Sequence, residues 1–264
     1  MIIIGEKING SIPSVAKAIA ERDEEQIRKL ARRQAKAGAD YIDVCASVED
    51  DVELETMKWL IGLVESVTDV PIAIDSPNPR TCVACMEFCS RPGIINSVSG
   101  EGDKMDIIFP AIAGTKWEVI ALLSGNYGIP KSAADRLKVF DEIMAKAKEY
   151  GIAPSRIHID PLVEMLCTSE DGIAMVEEVM STIKQRYPSI HITGAVSNIS
   201  FNLPKRKLVN QAFVVLAMKA GMDSAILNPL DQNMMGMIYA TEACLGIDEM
   251  CLEYIHAFRD GLFG

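Results

Sequence analysis

Short apolar runs rich in Ile and Val alternate along the whole chain with longer segments of helical periodicity, and this alternation restricts the fold most. "IIIGE", "YIDVC", "VPIAID", "GIINS", "VIALLS", "IHIDP", "HITGAVSN" and "SAILN" read as buried parallel strands. Between them, "DEEQIRKLARRQAKAG", "LETMKWLIGLVESV", "AADRLKVFDEIMAKAKEYG" and "RKLVNQAFVVLAMKAGM" place apolar residues three and four apart, as amphipathic helices do. Two of these segments carry "KAG", a basic last turn followed by a glycine stop. About eight strand–helix units without a long linker predict one α/β domain over residues 1–264, a closed (β/α)8 barrel. A doubly wound open sheet competes, but no G-x-G-x-x-G follows the first strand, and the number of units suits closure.

Polar residues stand where these strands end. In order they are Glu6 with Asn9, Asp43, Asp75, Asn96, Ser124 with Asn126, Asp160, Ser197 with Asn198, and Asn228. A barrel brings all such ends to one mouth, where sites of this architecture lie. Capping of the following helix accounts for one or two of them, Ser124 for instance. It does not account for Asp75, Asn96, Asp160 and Asn198 together. An apolar strand running into an unpaired carboxylate is costly unless a donor meets it, and this happens twice, in "PIAIDSPN" and "RIHIDPLV". Ionised Asp only accepts hydrogen bonds, whereas Asn both donates and accepts. That inventory suits a flat heterocycle with a guanidine-like edge. A pterin is such a ligand; a purine or a sugar also satisfies these groups.

Composition removes several function classes. A net charge of -11 argues against nucleic acid, whose binders carry basic patches. The apolar start, "MIIIGEKING", is too short for a signal peptide or anchor, and no later run reaches membrane-spanning length. Seven irregularly spaced cysteines suit a reducing compartment, so a cytoplasmic location is expected. Cys82, Cys85 and Cys89 fall on roughly one helical face, but no histidine or second cysteine pair completes a zinc set. They read as core residues, and no protein-bound metal is expected. His158, His191 and His256 are scattered and read as structural.

Five segments in register carry a resemblance: "GEKING" at 5–10, "AIDSPN" at 73–78, "INS" at 95–97, "IDPL" at 159–162 and "SNIS" at 197–200. Together with "RRQ" and "GA" around the first long helix, they resemble the pterin-binding methyltransferases that act between methyltetrahydrofolate and a corrinoid protein. The likeness extends to the small corrinoid-dependent methyltransferases of anaerobic methylamine and glycine betaine demethylation. The resemblance covers essentially the whole chain and implies a homodimeric TIM barrel with the pterin in its mouth. By position it implies pterin contacts from Asp75, Asn96 and Asp160, with Asn198 against the ring nitrogen that carries the methyl group. Glu6, Asn9, Ser197 and Arg206 lie in matching segments. Tetrahydrofolate or its 5-methyl form would be substrate, and the cobalamin-type corrinoid would arrive on a partner protein. One departure stands out: relatives read D-x-N after the second strand, whereas this chain has Cys45 at the asparagine.

The implied reaction needs no nucleophilic side chain. An amine nitrogen leaves carbon well only if a proton or strong hydrogen bond meets it, and Asn198 would stabilise that nitrogen without titrating. Lys205, Arg206 and Lys207 would meet the folate tail or an acidic patch on the partner, or form a solvated first helical turn. A dihydropteroate synthase-like enzyme is the enzymatic alternative, although no basic phosphate site is evident. A non-catalytic pterin-binding partner of a corrinoid protein is the other.

Overall fold

The computed structural model describes residues 1–264. β1 (Ile2–Asn9) leads through α1 (Pro13–Ala20) and α2 (Glu24–Lys36) to β2 (Tyr41–Cys45) and α3 (Asp50–Glu65). β3 (Ile72–Asp75), α4 (Pro79–Cys85), β4 (Ile94–Gly100) and α5 (Lys104–Ile112) follow. Next come β5 (Glu118–Gly125), α6 (Ala133–Glu149), β6 (Ile157–Asp160) and α7 (Ala174–Arg186). The chain finishes with β7 (His191–Ile192), α8 (Arg206–Ala220), β8 (Ser224–Leu227), α9 (Gln232–Cys244) and α10 (Leu252–Arg259). All eight expected strands are present, and every ladder is parallel in the order β7-β6-β5-β4-β3-β2-β1-β8. β7 and β8 close the ring by backbone bonds from Asp223 to Ile192 (3.2 Å) and from Ile226 to Gly194 (3.0 Å). The result is the (β/α)8 barrel that the alternation predicts.

Strand parity separates two cores. Ile3, Ile42, Val44, Ile72, Ile74, Ile95, Val119, Ile159 and Ala225 face outward and pack with the helices. Inward positions hold a small apolar layer of Ile4, Ala73, Ile94 and Ile120. Below it, at the N-terminal ends of the strands, His158 contacts Glu118 (2.7 Å) and Ser224 (3.0 Å) and stacks on His191 at 4.7 Å. Burial lowers the His158 pKa despite the Glu118 carboxylate. The histidines of this floor are engaged with each other, Glu118 and Ser224, one inward position beneath Asp160 on β6.

Two elements differ from expectation. The seventh strand stops at Ile192 instead of continuing through "GAVSN"; the chain winds into a 3-10 turn over Val196–Ser200. Arg206 replaces the missing ladder there, donating to the Ser197 carbonyl (2.7 Å) and the Ser200 hydroxyl (3.0 Å). The cysteine helix is also shorter than its sulfur spacing suggests. Cys82 and Cys85 are buried in α4, but Cys89 lies beyond a 3-10 turn over Met86–Phe88 and is partly exposed. No helix is long and apolar enough to cross a membrane.

Candidate active site

Ladder register builds one wall of the mouth. Cys45 pairs with Asp75 across β2 and β3, and Asp75 with Asn96 across β3 and β4, so three inward side chains stand abreast. Two residues before Cys45, Asp43 has the same parity and sits beneath them, only 2% exposed. The Asn96 amino group donates to Asp43 Oδ1 at 3.1 Å. With its Nδ2 engaged, Asn96 presents an acceptor oxygen to the mouth. Asp43 was not singled out from the sequence beyond its place at a strand end. Its signal was parity: "YIDVC" places an aspartate inside a barrel at a level where leucine or valine is ordinary.

Burial sets the charge of this wall. It pushes Asp75 up to about 6, with the Cys45 thiol pulling down and Glu53 adding to the rise. Asp43 is raised further by its own burial and by Asp75 beside it. Cys45 therefore supplies a weak donor to Asp75 where the resemblance implied a polar group had been lost, and its own thiol is pushed up to about 12. Behind the wall, the buried Glu53 accepts from the Ser76 hydroxyl at 2.8 Å.

Asp160 faces the mouth from β6, two residues above His158 on the same inward parity. Burial raises it to about 6, against the Leu162 and Val163 backbone amides and the Arg136 guanidinium. The Leu162 N–H donates to Asp160 Oδ1 at 2.8 Å. A rise from 3.8 to about 6 corresponds to a net penalty of about 3 kcal/mol on the charged form of each of Asp75 and Asp160. A ligand edge carrying paired N–H groups would return it.

Glu6 and the Val196–Ser200 turn form the opposite side. β1 bulges between Gly5 and Ile8, and the freed Lys7 N–H donates to Gln34 Oε1 (2.9 Å) from the buried face of α2. This is the structural use of the "RRQ" glutamine. Glu6, on the bulge, has its carboxyl raised by burial against the pull of Lys7, Arg206 and Ser197. Glu6, Ser197, Asn210 and Asn228 line a cavity of about 50 Å³, in which Asn210 Oδ1 is buried without a partner. Asn198 is exposed on the turn, and no other residue holds its side chain. Its backbone is pinned, by Asn198 N–H to the Ala195 carbonyl (3.1 Å) and by Arg206 on the adjacent Ser197 carbonyl. The carboxamide is therefore free while its origin is held.

Other strand-end residues accept from loop backbone, Asn9 and Asn228 within their own loops and Asn126 from the loop after β4. Asn9 Oδ1 accepts from Ser11 N–H (2.8 Å), Asn126 from Gly102 N–H (2.8 Å) and Asn228 from Leu230 N–H (3.1 Å). Of the basic trio, Arg206 braces the turn and Lys207 pairs with Asp231 at 3.0 Å, which leaves Lys205 exposed. A concavity of about 580 Å³ opens beside the mouth between Lys131, Glu164, Thr168 and Phe213. It contains none of the convergent carboxylates, so chemistry places the site over the strand ends.

Comparison with known proteins gives a family and a fold. A family model described as pterin binding enzyme matches residues 6–228. The chain is 47% identical, over 100% of its length and 98% of the relative's, to a methylcorrinoid:tetrahydrofolate methyltransferase of Eubacterium limosum. It is 27% identical over 86% of its length to the methionine synthase of Mycobacterium leprae, of which it spans 20%. Among solved structures, a Yersinia pestis DHPS with a pterine-sulfa conjugate superposes with a TM-score of 0.68 at 16% identity. That match covers 93% of this chain and 94% of the other, and it concerns the fold alone.

Proposed function

This chain belongs to the pterin-binding enzyme family, and on that premise we propose that it transfers a methyl group from a methylcorrinoid to tetrahydrofolate. The observation that carries the reading is the pairing of two desolvated carboxyls, Asp75 and Asp160, with a free carboxamide at Asn198 on a braced turn. Asp75, Asn96 and Asp160 take the amino-rich and carbonyl edges of the pterin. Asn198 meets the ring nitrogen. Glu6 and Ser197 close the side nearest Asn198, with Arg206 holding the turn rather than the ligand. Asn9 keeps only its amino group for a contact, since its oxygen is engaged by Ser11.

In the transfer, the ring nitrogen's lone pair attacks the methyl carbon and the cobalt–carbon electrons return to cobalt. Methylcobalt(III) becomes Co(I), and the nitrogen sheds its proton to water. Positive charge grows on the nitrogen, and the Asn198 carboxamide oxygen would accept from it. An amide does not titrate usefully, so its contribution is electrostatic. The same contact serves the reverse step, in which the methylated nitrogen must be protonated to leave.

The corrinoid partner has to cover the mouth, whose rim carries exposed Tyr127, Ile129 and Phe201. The exposed apolar face of α10, with Leu252, Ile255 and Phe258, supports a homodimer. Light scattering on the purified protein checks that, and a monomer at micromolar concentration would remove it. The function itself is tested by following the absorbance of methylcobalamin mixed with tetrahydrofolate and enzyme. Conversion to cob(I)alamin is expected. A spectrum unchanged in both directions, with free or protein-bound corrinoid, would discard the reading.

A further inference from the structure

Arg136 is the largest fully buried side chain in the molecule. It sits in the first turn of α6, where a cation gains nothing from the helix dipole. A guanidinium without exposure is costly unless its donors are all met. Its acceptors lie on two loops of the mouth: the Pro130 carbonyl (3.2 Å) before α6, and the Pro161 and Leu162 carbonyls (Leu162 at 2.7 Å) after β6. Its last partner is the half-exposed Glu164 carboxylate on the same second loop.

The Pro161 and Leu162 carbonyls are the two that follow Asp160. Leu162 stands at φ 67°, a left-handed conformation that a leucine adopts only when its surroundings impose it. In that conformation its N–H turns back to Asp160 Oδ1. A circuit results: Arg136 grips the Leu162 carbonyl, and Leu162 grips the Asp160 carboxylate.

We propose that Arg136 is a positioning residue for pterin binding, acting through the Pro161–Leu162 turn to hold the Asp160 carboxyl aimed into the mouth. The proposal rests on the pterin reading above and adds a residue outside the mouth itself. A purely structural arginine would also join the two loops, but it would leave the titration of Asp160 untouched. Its positive charge is one of the influences opposing the burial of Asp160, so its loss favours the protonated carboxyl.

The test measures tetrahydrofolate affinity from pH 5 to 9 for the wild type, Arg136→Met, Arg136→Lys, Asp160→Asn and the Arg136→Met/Asp160→Asn pair. Thermal unfolding is recorded for each. For a carboxyl that starts at about 6 and rises by about one unit, Arg136→Met should bind about twofold more weakly near pH 7 and roughly tenfold more weakly near pH 5, and recover as pH rises. Turnover at saturating folate should change less than affinity, and Arg136→Lys should lie between. On the Asp160→Asn background, Arg136→Met should change affinity little, because its target is gone. Should Arg136→Met not fold, Arg136→Lys carries the same comparison with a smaller shift, on both the wild-type and the Asp160→Asn background. An unshifted pH profile, or an equal loss at every pH that persists with Asp160→Asn, overturns the proposal. A wild type that does not bind tetrahydrofolate overturns the pterin reading instead.

Discussion

On the proposed function, Asn198 and Asp160 divide the work at the mouth between chemistry and holding. Asn198 would meet the atom whose charge changes, so Asn198→Ala should lower the methyl-transfer rate by roughly 10–1000-fold while folate affinity falls less. Single-turnover kinetics beside equilibrium titration separates the two; equal losses would make Asn198 a mere contact. Asp160→Asn swaps a pure acceptor for a group with a mismatched donor. It should weaken folate binding by about tenfold or more, on the order of one lost charged hydrogen bond, with a smaller effect on turnover. An unchanged dissociation constant would take Asp160 out of the site. The strand-end rule exposed these residues in the sequence. It also reached Asp43 but not its role, and it could not reach Gln34 or Arg136; all three depend on partners 53, 27 and 26 positions away.

Among the elements, two glycines make opposite demands. A Cβ on Gly10 would stand 2.0 Å from the Ala46 carbonyl oxygen, where the loop after β1 crosses the end of β2. Backbone on both sides leaves nowhere to yield, and the Gly10 N–H bond to the Cys45 carbonyl (2.9 Å) would open. Gly10→Ala should cost about 1–3 kcal/mol, as overpacking does, and disturb Asp75 through Cys45. Gly62, on the exposed face of α3, has nothing within 4 Å of the same atom. Gly62→Ala should stabilise by about 0.5–1 kcal/mol. Urea denaturation of both variants checks the pair; a stability loss at Gly62 or none at Gly10 contradicts the packing described. Gly10 of "GEKING" is thus a steric necessity, a reason that the motif alone does not disclose.

For the whole molecule, the buried carboxyls couple folding, binding and pH. Asp75 and Asp160 have folded values of about 6 against 3.8 when ordinary. Their contribution to stability is therefore fully present below about pH 4 and is lost as pH rises through about 6. His158, lowered by burial, works the other way and loses its contribution as pH falls. A ligand donating to the ionised carboxylates should offset the first effect. The rise in melting temperature on adding tetrahydrofolate should thus be larger at pH 7.5 than at pH 5. Calorimetry reads it directly; an equal rise at both values would mean that neither carboxylate meets the ligand.

The alternation of strand and helix determined a parallel sheet covered by helices, and the number of units, with no G-x-G-x-x-G after the first strand, pointed to its closure into the barrel. It also determined which residues reach the mouth, since every strand points its C-terminal end the same way. Tertiary structure alone decided how those residues are charged and aimed. Register set Asp75 beside Cys45 and Asn96 over Asp43, and a distant arginine bound the turn that follows Asp160. The physical reason is range. Periodicity is a local property of the chain, whereas desolvation and charge coupling depend on which side chains meet across the closed barrel.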